Sequence, residues 1–250
     1  MNDHITQSIS PSNELNDYPK PMVMVDIVIF TVAEERLKVL LIKRGFPPFQ
    51  GEYALPGGML RIGIDDSLEA AAIRELIEET GVKNQYLEQL YTYGNPYRDP
   101  RGWTVSVAYF ALVSTSEVHL KPGTDAVEAN WHSIQGDRVA VKLAFDHDEI
   151  LRAGIKRLRS KLDYTDIAVH LLPKEFTLSE LQKIYEIIMQ EKLNKSSFRL
   201  RVNRAEIVEA IKDKMRTGSN RPAQLYRFVQ QQENRMFFPR SILRALERKK

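Results

Sequence analysis

Cysteine is absent from the 250 residues. Disulfides and thiolate metal sites are therefore excluded. Long apolar runs are missing too: none approaches the roughly 20 residues of a membrane helix. Residues 1–20 are polar and lack the apolar centre of a signal peptide. A cytoplasmic protein without membrane contact is the expectation. Histidine is scarce, and His4, His119, His132, His147 and His170 show no metal-ligand spacing and suggest no Ser/His/Asp nucleophile. Each is expected to be a satisfied or exposed side chain.

A strong overall charge is also lacking, but the net +3 conceals an asymmetry. Residues 1–169 carry 18 Lys and Arg against 24 Asp and Glu, while residues 170–250 carry 18 against 9. Such a change of sign between halves hints at two tasks, with the basic half a candidate for polyanion binding. A chain of 28.9 kDa has room for one large or two smaller domains.

One stretch organises the rest. Residues 57–82 read GGMLRIGIDDSLEAAAIRELIEETGV. A helix is expected: Asp66 caps it with Glu69 as box partner, Ala70, Ala71 and Ala72 favour it, and Gly81 ends it. Leu68, Ala72 and Leu76 then face a core. Glu75, Glu78 and Glu79 fall at i, i+3 and i+4 on one face, with Arg74 four residues before Glu78 to hold it. Three carboxylates so placed repel each other. An exposed charged face is the plain reading; a hard divalent cation, Mg²⁺ or Mn²⁺, is the simplest counterion and can grip diphosphate oxygens as well.

These residues resemble the Nudix box, a glycine, a glutamate, then Arg-Glu-x-x-Glu-Glu-x-Gly. The match is strong over residues 74–82. It departs at Asp66, which stands where the family has a glutamate, and in a spacing from Gly58 that is two residues longer. The resemblance implies a Nudix α/β/α sandwich with a mixed sheet, metal ligands Asp66, Glu75, Glu78 and Glu79, and catalytic Glu75 and Glu79 if the chain hydrolyses.

Before the box, residues 22–31 read as a buried strand, residues 38–43 as a second with Arg44 at its end, and residues 53–56 as a short third leading into Gly57 and Gly58, where the backbone can approach a ligand. After it, strands are expected at residues 87–93, 105–113 and near Trp131. The loop 94–103 holds Arg98, Asp99 and Arg101 between prolines. It reads either as a hairpin with an internal ion pair or as a diphosphate and ribose clamp, since guanidinium forks suit phosphate oxygens. Its Arg-Asp-Pro-Arg-Gly run, and the Leu-Ala-Phe-Asp-His run of residues 143–147, resemble those of Nudix proteins that handle ADP-ribose. That implies a ligand site of Arg44, Gly57, Gly58, Arg98, Asp99 and Arg101. A helix follows to about Leu162, with Leu151, Ile155 and Leu158 inward.

The expected organisation is an arm at 1–20, a Nudix domain at 21–160, a linker at 161–173 and a second domain at 174–250. In the last, Thr177 caps a helix with Glu180 as box partner and Phe176 and Leu181 as staple. Leu181, Ile184, Tyr185 and Ile188 face inward. A second helix begins near Asn194, with Phe198 and Val202 inward and Lys195, Ser196, Ser197, Arg199, Arg201 and Arg204 outward. Two strands, 212–216 and 224–229, flank a turn holding Asn220 and Arg221. This is the outline of a winged helix-turn-helix, whose second helix enters the major groove while the wing reaches a minor groove or phosphate. A three-helix domain with a basic face is the plainer alternative.

A Nudix domain followed by this wing, Arg-Pro-Ala-x-Leu-Tyr-x-Phe at residues 221–228, resembles the Nudix-related transcriptional regulators of NAD metabolism. The resemblance implies a homodimeric repressor that binds an operator in double-stranded DNA and senses ADP-ribose or a related nucleotide. An ADP-ribose pyrophosphatase with an accessory domain is the alternative, and a sugar-responsive Nudix-fold regulator is a third.

Overall fold

The computed structural model describes residues 19–83, 86–118, 120, 126–217 and 222–229. The N-terminal arm and the wing turn with Asn220 and Arg221 lie outside these residues.

β1 (Met22–Ala33) and β2 (Arg36–Arg44) pair antiparallel about a turn in which Glu34 and Glu35 take positive φ. β3 (Tyr53–Ala54) pairs antiparallel with the end of β2, and β4 (Gly57–Met59) pairs antiparallel with β1. β5 (Tyr86–Tyr93) and β6 (Thr104–Leu112) form a hairpin, and β6 runs parallel to β1. β7 (Ala126–Ser133) pairs with β2. The result is one mixed sheet of seven strands, with the path β3-β2-β1-β6-β5 and β4 and β7 off it.

Both faces of this sheet are covered, which explains why β1 reads as a continuous apolar run rather than an alternation. Val28 and Phe30 point to one core with α2 (His147–Leu162). Ile27 and Ile29 point to the other with α1 (Leu68–Thr80). The expected α/β/α sandwich is therefore present. On α1, Ala72 and Leu76 are buried and Leu68 packs beside them. Gly81 ends the helix in the left-handed conformation (φ +70°), its N–H bonded to the Ile77 carbonyl at 2.8 Å. The start differs from expectation by one residue: Ser67, not Asp66, is the N-cap, its hydroxyl accepting from Ala70 N at 3.0 Å. With an acceptor of the right reach at 67, Asp66 is left exposed.

Past α2 the chain makes a short 3₁₀ turn (Ile167–Leu171) and enters α3 (Leu178–Met189) and α4 (Lys195–Ala205). The α3 capping box between Thr177 and Glu180 is complete in both directions. β8 (Val208–Arg216) and β9 (Ala223–Phe228) form the wing, and Phe176 joins it by an isolated antiparallel bridge of two bonds with Tyr226. The residues expected to be a linker are not loose. Ile167, Ala168, Val169, Leu171 and Leu172 are all buried. They belong to one apolar cluster running from Phe30 and Leu151 to Leu181, Ile188, Phe198 and Val202. Burying five apolar side chains, at about 1.5–3 kcal/mol each for the large ones, welds the second unit to the first.

Candidate functional site

Three places collect the residues singled out from the sequence: a cavity at the ends of β1 and β2, the acidic face of α1, and the open side of α4.

The cavity is lined by Met24, Asp26, Ile42, Arg44, Leu55, Gly57, Gly58, Met59, Arg98, Asp99, Arg101, Phe145 and His147. All six expected ligand residues are among them. Distant segments meet here because β4 and β6 flank β1, bringing the two glycines and the 94–103 loop to the same strand end. The glycines are required by close approach. A Cβ at Gly57 would stand 2.3 Å from the Val25 carbonyl oxygen, and one at Gly58 would stand 2.2 Å from Oε1 of Glu75.

Asp26 was not anticipated as a site residue, and Phe145 and His147 only as members of the Leu-Ala-Phe-Asp-His run. Asp26 carried a signal, being the one charge in an otherwise apolar strand; His147 carried none in its spacing. Together with Arg98 they form a buried polar cluster. Arg98 grips Asp146 with both Nε (2.8 Å) and Nη2 (2.7 Å), reaches Asp26 at 3.3 Å, and donates to Thr104 Oγ1 at 3.2 Å. Ser106 donates to Asp26 at 2.5 Å. Burial opposes the Arg98 charge, but the bonds to Asp146 and the fields of Asp26 and Asp146 outweigh it and push its pKa up. Four polar contacts leave this guanidinium, with a side chain 3% exposed, little freedom to turn to a ligand. It is a brace under the cavity rather than the outer clamp that the loop sequence suggests.

His147 accepts the Leu55 N–H at Nδ1 (2.9 Å) and directs Nε2 toward Asp26 at 3.5 Å. An acceptor at Nδ1 places the proton on Nε2 of a neutral ring. Burial lowers its pKa, only partly offset by Asp26 and Asp146. It is thus the satisfied histidine expected, though inside the site.

The outer wall is cationic. Arg101 pairs with Asp99 (Nη2 to Oδ2 2.7 Å), and Arg44 donates to the Pro48 carbonyl at 2.8 Å. Phe145 lies against both guanidiniums, its ring centroid 4.8 Å from Cζ of Arg44 and 5.9 Å from Cζ of Arg101. This wall can take the oxygens of a phosphate or diphosphate.

On α1, Glu75 and Glu79 are buried and Glu78 is half-buried. Burial raises the Glu75 pKa, with Arg74 (Nη1 to Oε1 2.5 Å) acting against it. Arg74 also forks onto Asp65 at 2.8 and 2.9 Å, and lies 3.6 Å from Glu78 as expected. Bonds from Arg74 and from the Arg61 N–H hold the Asp65 carboxyl down at about 2. Arg61, in the lengthened loop, takes both oxygens of Glu78 at 3.1 and 3.3 Å. The upstream carboxylate held by the box arginine is therefore Asp65, whereas Asp66, placed by counting, is exposed. Arg61 and Arg74 pair with Glu78, Asp65 and Glu75, while the buried Glu79 Oε2 accepts no hydrogen bond, and among the described residues no group of three His, Asp or Glu side chains is already gathered as a cation cage.

Asn194 caps α4 by accepting from Ser197 N at 3.0 Å. Lys195, Ser196, Arg199 and Arg204 are exposed, while Phe198 and Val202 are buried. Lys195, Arg199 and Asn203 line a cleft shared with Ser179, Pro222 and Gln224. Asn203 was missed, although its i+4 spacing from Arg199 puts it on the same stripe. Arg201, expected outward, turns inward and donates to the Asp163 carbonyl at 3.2 Å. The wing is pinned by Arg216 to Glu180 and Lys214 to Glu175, each at 2.6 Å.

Comparison with known proteins finds two family models along the chain. Residues 20–153 match the NUDIX domain and residues 168–228 match the NrtR DNA-binding winged helix domain. The chain is 39% identical over 236 residues to the ADPR responsive transcriptional repressor NtrR of Acinetobacter baylyi, covering 94% of this chain and 93% of that protein. Shewanella oneidensis NrtR, in a crystal structure with a 27mer DNA, superposes with a TM-score of 0.75 at 37% identity, over 83% of this chain and 93% of that one. The NUDIX domain of the same protein with ADP ribose superposes with a TM-score of 0.53 at 36% identity, over 60% and 99%.

Proposed function

We propose, because the chain belongs to the NrtR family of Nudix transcriptional regulators, that it is a DNA-binding repressor controlled by ADP-ribose. The winged helix binds an operator in double-stranded DNA, with Lys195, Ser196, Arg199, Asn203 and Arg204 against phosphates and base edges. ADP-ribose occupies the cavity of Arg44, Gly57, Gly58, Arg98, Asp99 and Arg101, with the diphosphate on Arg44 and Arg101. No described helix is long and apolar enough to cross a membrane. In our reading the protein acts in the cytoplasm, as a homodimer, on genes of NAD metabolism.

The observation that carries this reading is the single core between the two units. α2 starts at the cavity, where Asp146 and His147 meet Arg98 and Leu55. It ends where the Asp163 carbonyl accepts from Arg201 of α4 and the Thr165 carbonyl accepts from Tyr185 of α3. About one turn before that end, Arg159 donates to the Ile188 carbonyl of α3 at 3.0 Å. A ligand that shifts one end of this helix shifts the seat of the recognition helix. Two half-sites spaced by the DNA turn tolerate little such movement, and the coupling is reciprocal by linkage.

The test is a DNA-binding assay on the region upstream of the protein's own operon, with and without ADP-ribose. A change in operator affinity supports the reading; an affinity indifferent to saturating ADP-ribose overturns it.

A second reading, an ADP-ribose pyrophosphatase, is favoured by one observation: Glu75, Glu78 and Glu79 persist on one helix. Against it, Arg61 and Arg74 pair with Glu78 and Glu75, and Asp66 is exposed. Slow or absent AMP release from ADP-ribose with Mg²⁺ or Mn²⁺ is expected. Turnover in the ordinary range of about 1–10³ per second would make hydrolysis the main activity.

A further inference from the structure

We infer that Phe145 sets the spacing of Arg44 and Arg101, and so gives the cavity its preference for a diphosphate over a single phosphate. This rests on the reading of the cavity as the ADP-ribose site.

Phe145 holds a left-handed backbone, φ +54°. For a bulky side chain that conformation is costly and is kept only where the surroundings over-determine it. Here they do. Ala144 is fully buried and its N–H goes to the Tyr53 carbonyl at 2.8 Å. Asp146 is gripped by Arg98, and His147 is fixed by the Leu55 N–H. Three neighbours are thus committed to the core and the buried cluster, and the left-handed turn at 145 sends the remaining side chain to the cavity. Its ring is then fixed edge-on by Phe49 (centroids 4.7 Å apart) and lies 5.3 Å from the His147 ring. A ring held this firmly is a rigid object.

Two guanidiniums converging on one cavity repel each other. Main-chain carbonyls hold Arg44 on one side, and Asp99 holds Arg101. The Phe145 ring lies against both, and the negative face of an aromatic ring attracts a guanidinium. It thereby offsets the repulsion and fixes where each charge stands. A single phosphate needs one guanidinium and is indifferent to their separation. A diphosphate bridges both, and its affinity depends on that separation being set beforehand. Phe145 on this account is a positioning residue acting through the two arginines.

Calorimetric binding of ADP-ribose and AMP to the full-length protein and to Phe145→Leu tests this. Leu keeps apolar bulk but has no ring face. The expected result is a loss of about tenfold for ADP-ribose, the size of a partly desolvated cation–π contact, with AMP changed by no more than about twofold. Phe145→Tyr keeps the ring and should retain the native ratio. Phe145→Met, which likewise fills the space without a ring face, should lower the same ratio and decides the matter if Phe145→Leu does not fold. An equal loss for both ligands, or no loss, overturns the inference. Absence of ADP-ribose binding by the unsubstituted protein removes the cavity reading, and this inference with it.

Discussion

The box on α1 and the cluster around Arg98 are built from the same parts, yet they stand in opposite physical situations. In each, guanidiniums fork onto carboxylates at 2.5–3.3 Å. In the box the outer pair is open to water: the side chains of Arg61 and Glu78 are 42% and 37% exposed. Around Arg98 they are not, with Arg98 at 3% and Asp26 at 6%. Water screens the first pair and lets either partner be replaced at little cost. The second pair holds charge where there is no alternative solvent, so removing one partner strands the other. The same pairing of an arginine with an acid is thus a replaceable surface contact in one place and a structural brace in the other.

Arg98→Ala is the sharpest way to test that contrast. Leaving Asp26 and Asp146 without their cation should cost about 3–5 kcal/mol of stability, read as a fall in the denaturant midpoint. A loss below about 1 kcal/mol, the surface range, would erase the distinction. The same cluster gives stability a pH dependence. His147 has its pKa lowered in the folded protein, chiefly by burial, so the unfolded chain binds the extra proton first. Stability should be full above the unfolded value of about 6.5 and should fall as pH drops below it. His147→Gln should flatten that acid slope.

α4 carries the contrast on a single helix. Arg199→Ala, on the open cleft, should weaken operator binding by about 1–3 kcal/mol if a base edge is lost, or lower the salt slope by about one if a phosphate contact is lost. The melting temperature should not move. Arg201→Ala should do the reverse, costing about 1 kcal/mol of stability through the lost bond to Asp163 and leaving the salt slope alone. Identical behaviour of the two variants in filter binding and thermal melts would contradict the inward turn of Arg201.

The smallest effect is expected at Arg61. Arg61→Ala should change stability by about 0–1 kcal/mol, as for other exposed pairs. A fall of several kcal/mol in a denaturant titration would mean that the box is a brace after all, and that the comparison has only one kind of member.

Periodicity and capping chemistry in the sequence by themselves determined the four helices and the longer strands, though not β4 or the first half of β8. The Thr177–Glu180 box, the Gly81 stop and the 3.6-residue stripes of α2 and α3 are local signals, carried by residues a few positions apart. Composition also separated the acidic first half from the basic second, and the box and the wing marked the two units. The six cavity residues could be chosen because two glycines and an Arg-Asp-Pro-Arg loop carry recognisable chemistry. What each arginine does was not decided there. Whether Arg98 braces or clamps depends on Asp26 and Asp146, 72 and 48 residues away, and on burial that no single segment encodes. Counting along the box placed the upstream carboxylate at Asp66, because counting ignores that the lengthened loop turns at Arg61 and presents Asp65 instead. The packing of residues 167–172 was hidden for a related reason. A short apolar stretch without a period gains its stability only from partners on other elements. Phe145 shows the limit most plainly: its direction is fixed by what Ala144, Asp146 and His147 must each reach, and those three destinations exist only in the folded chain.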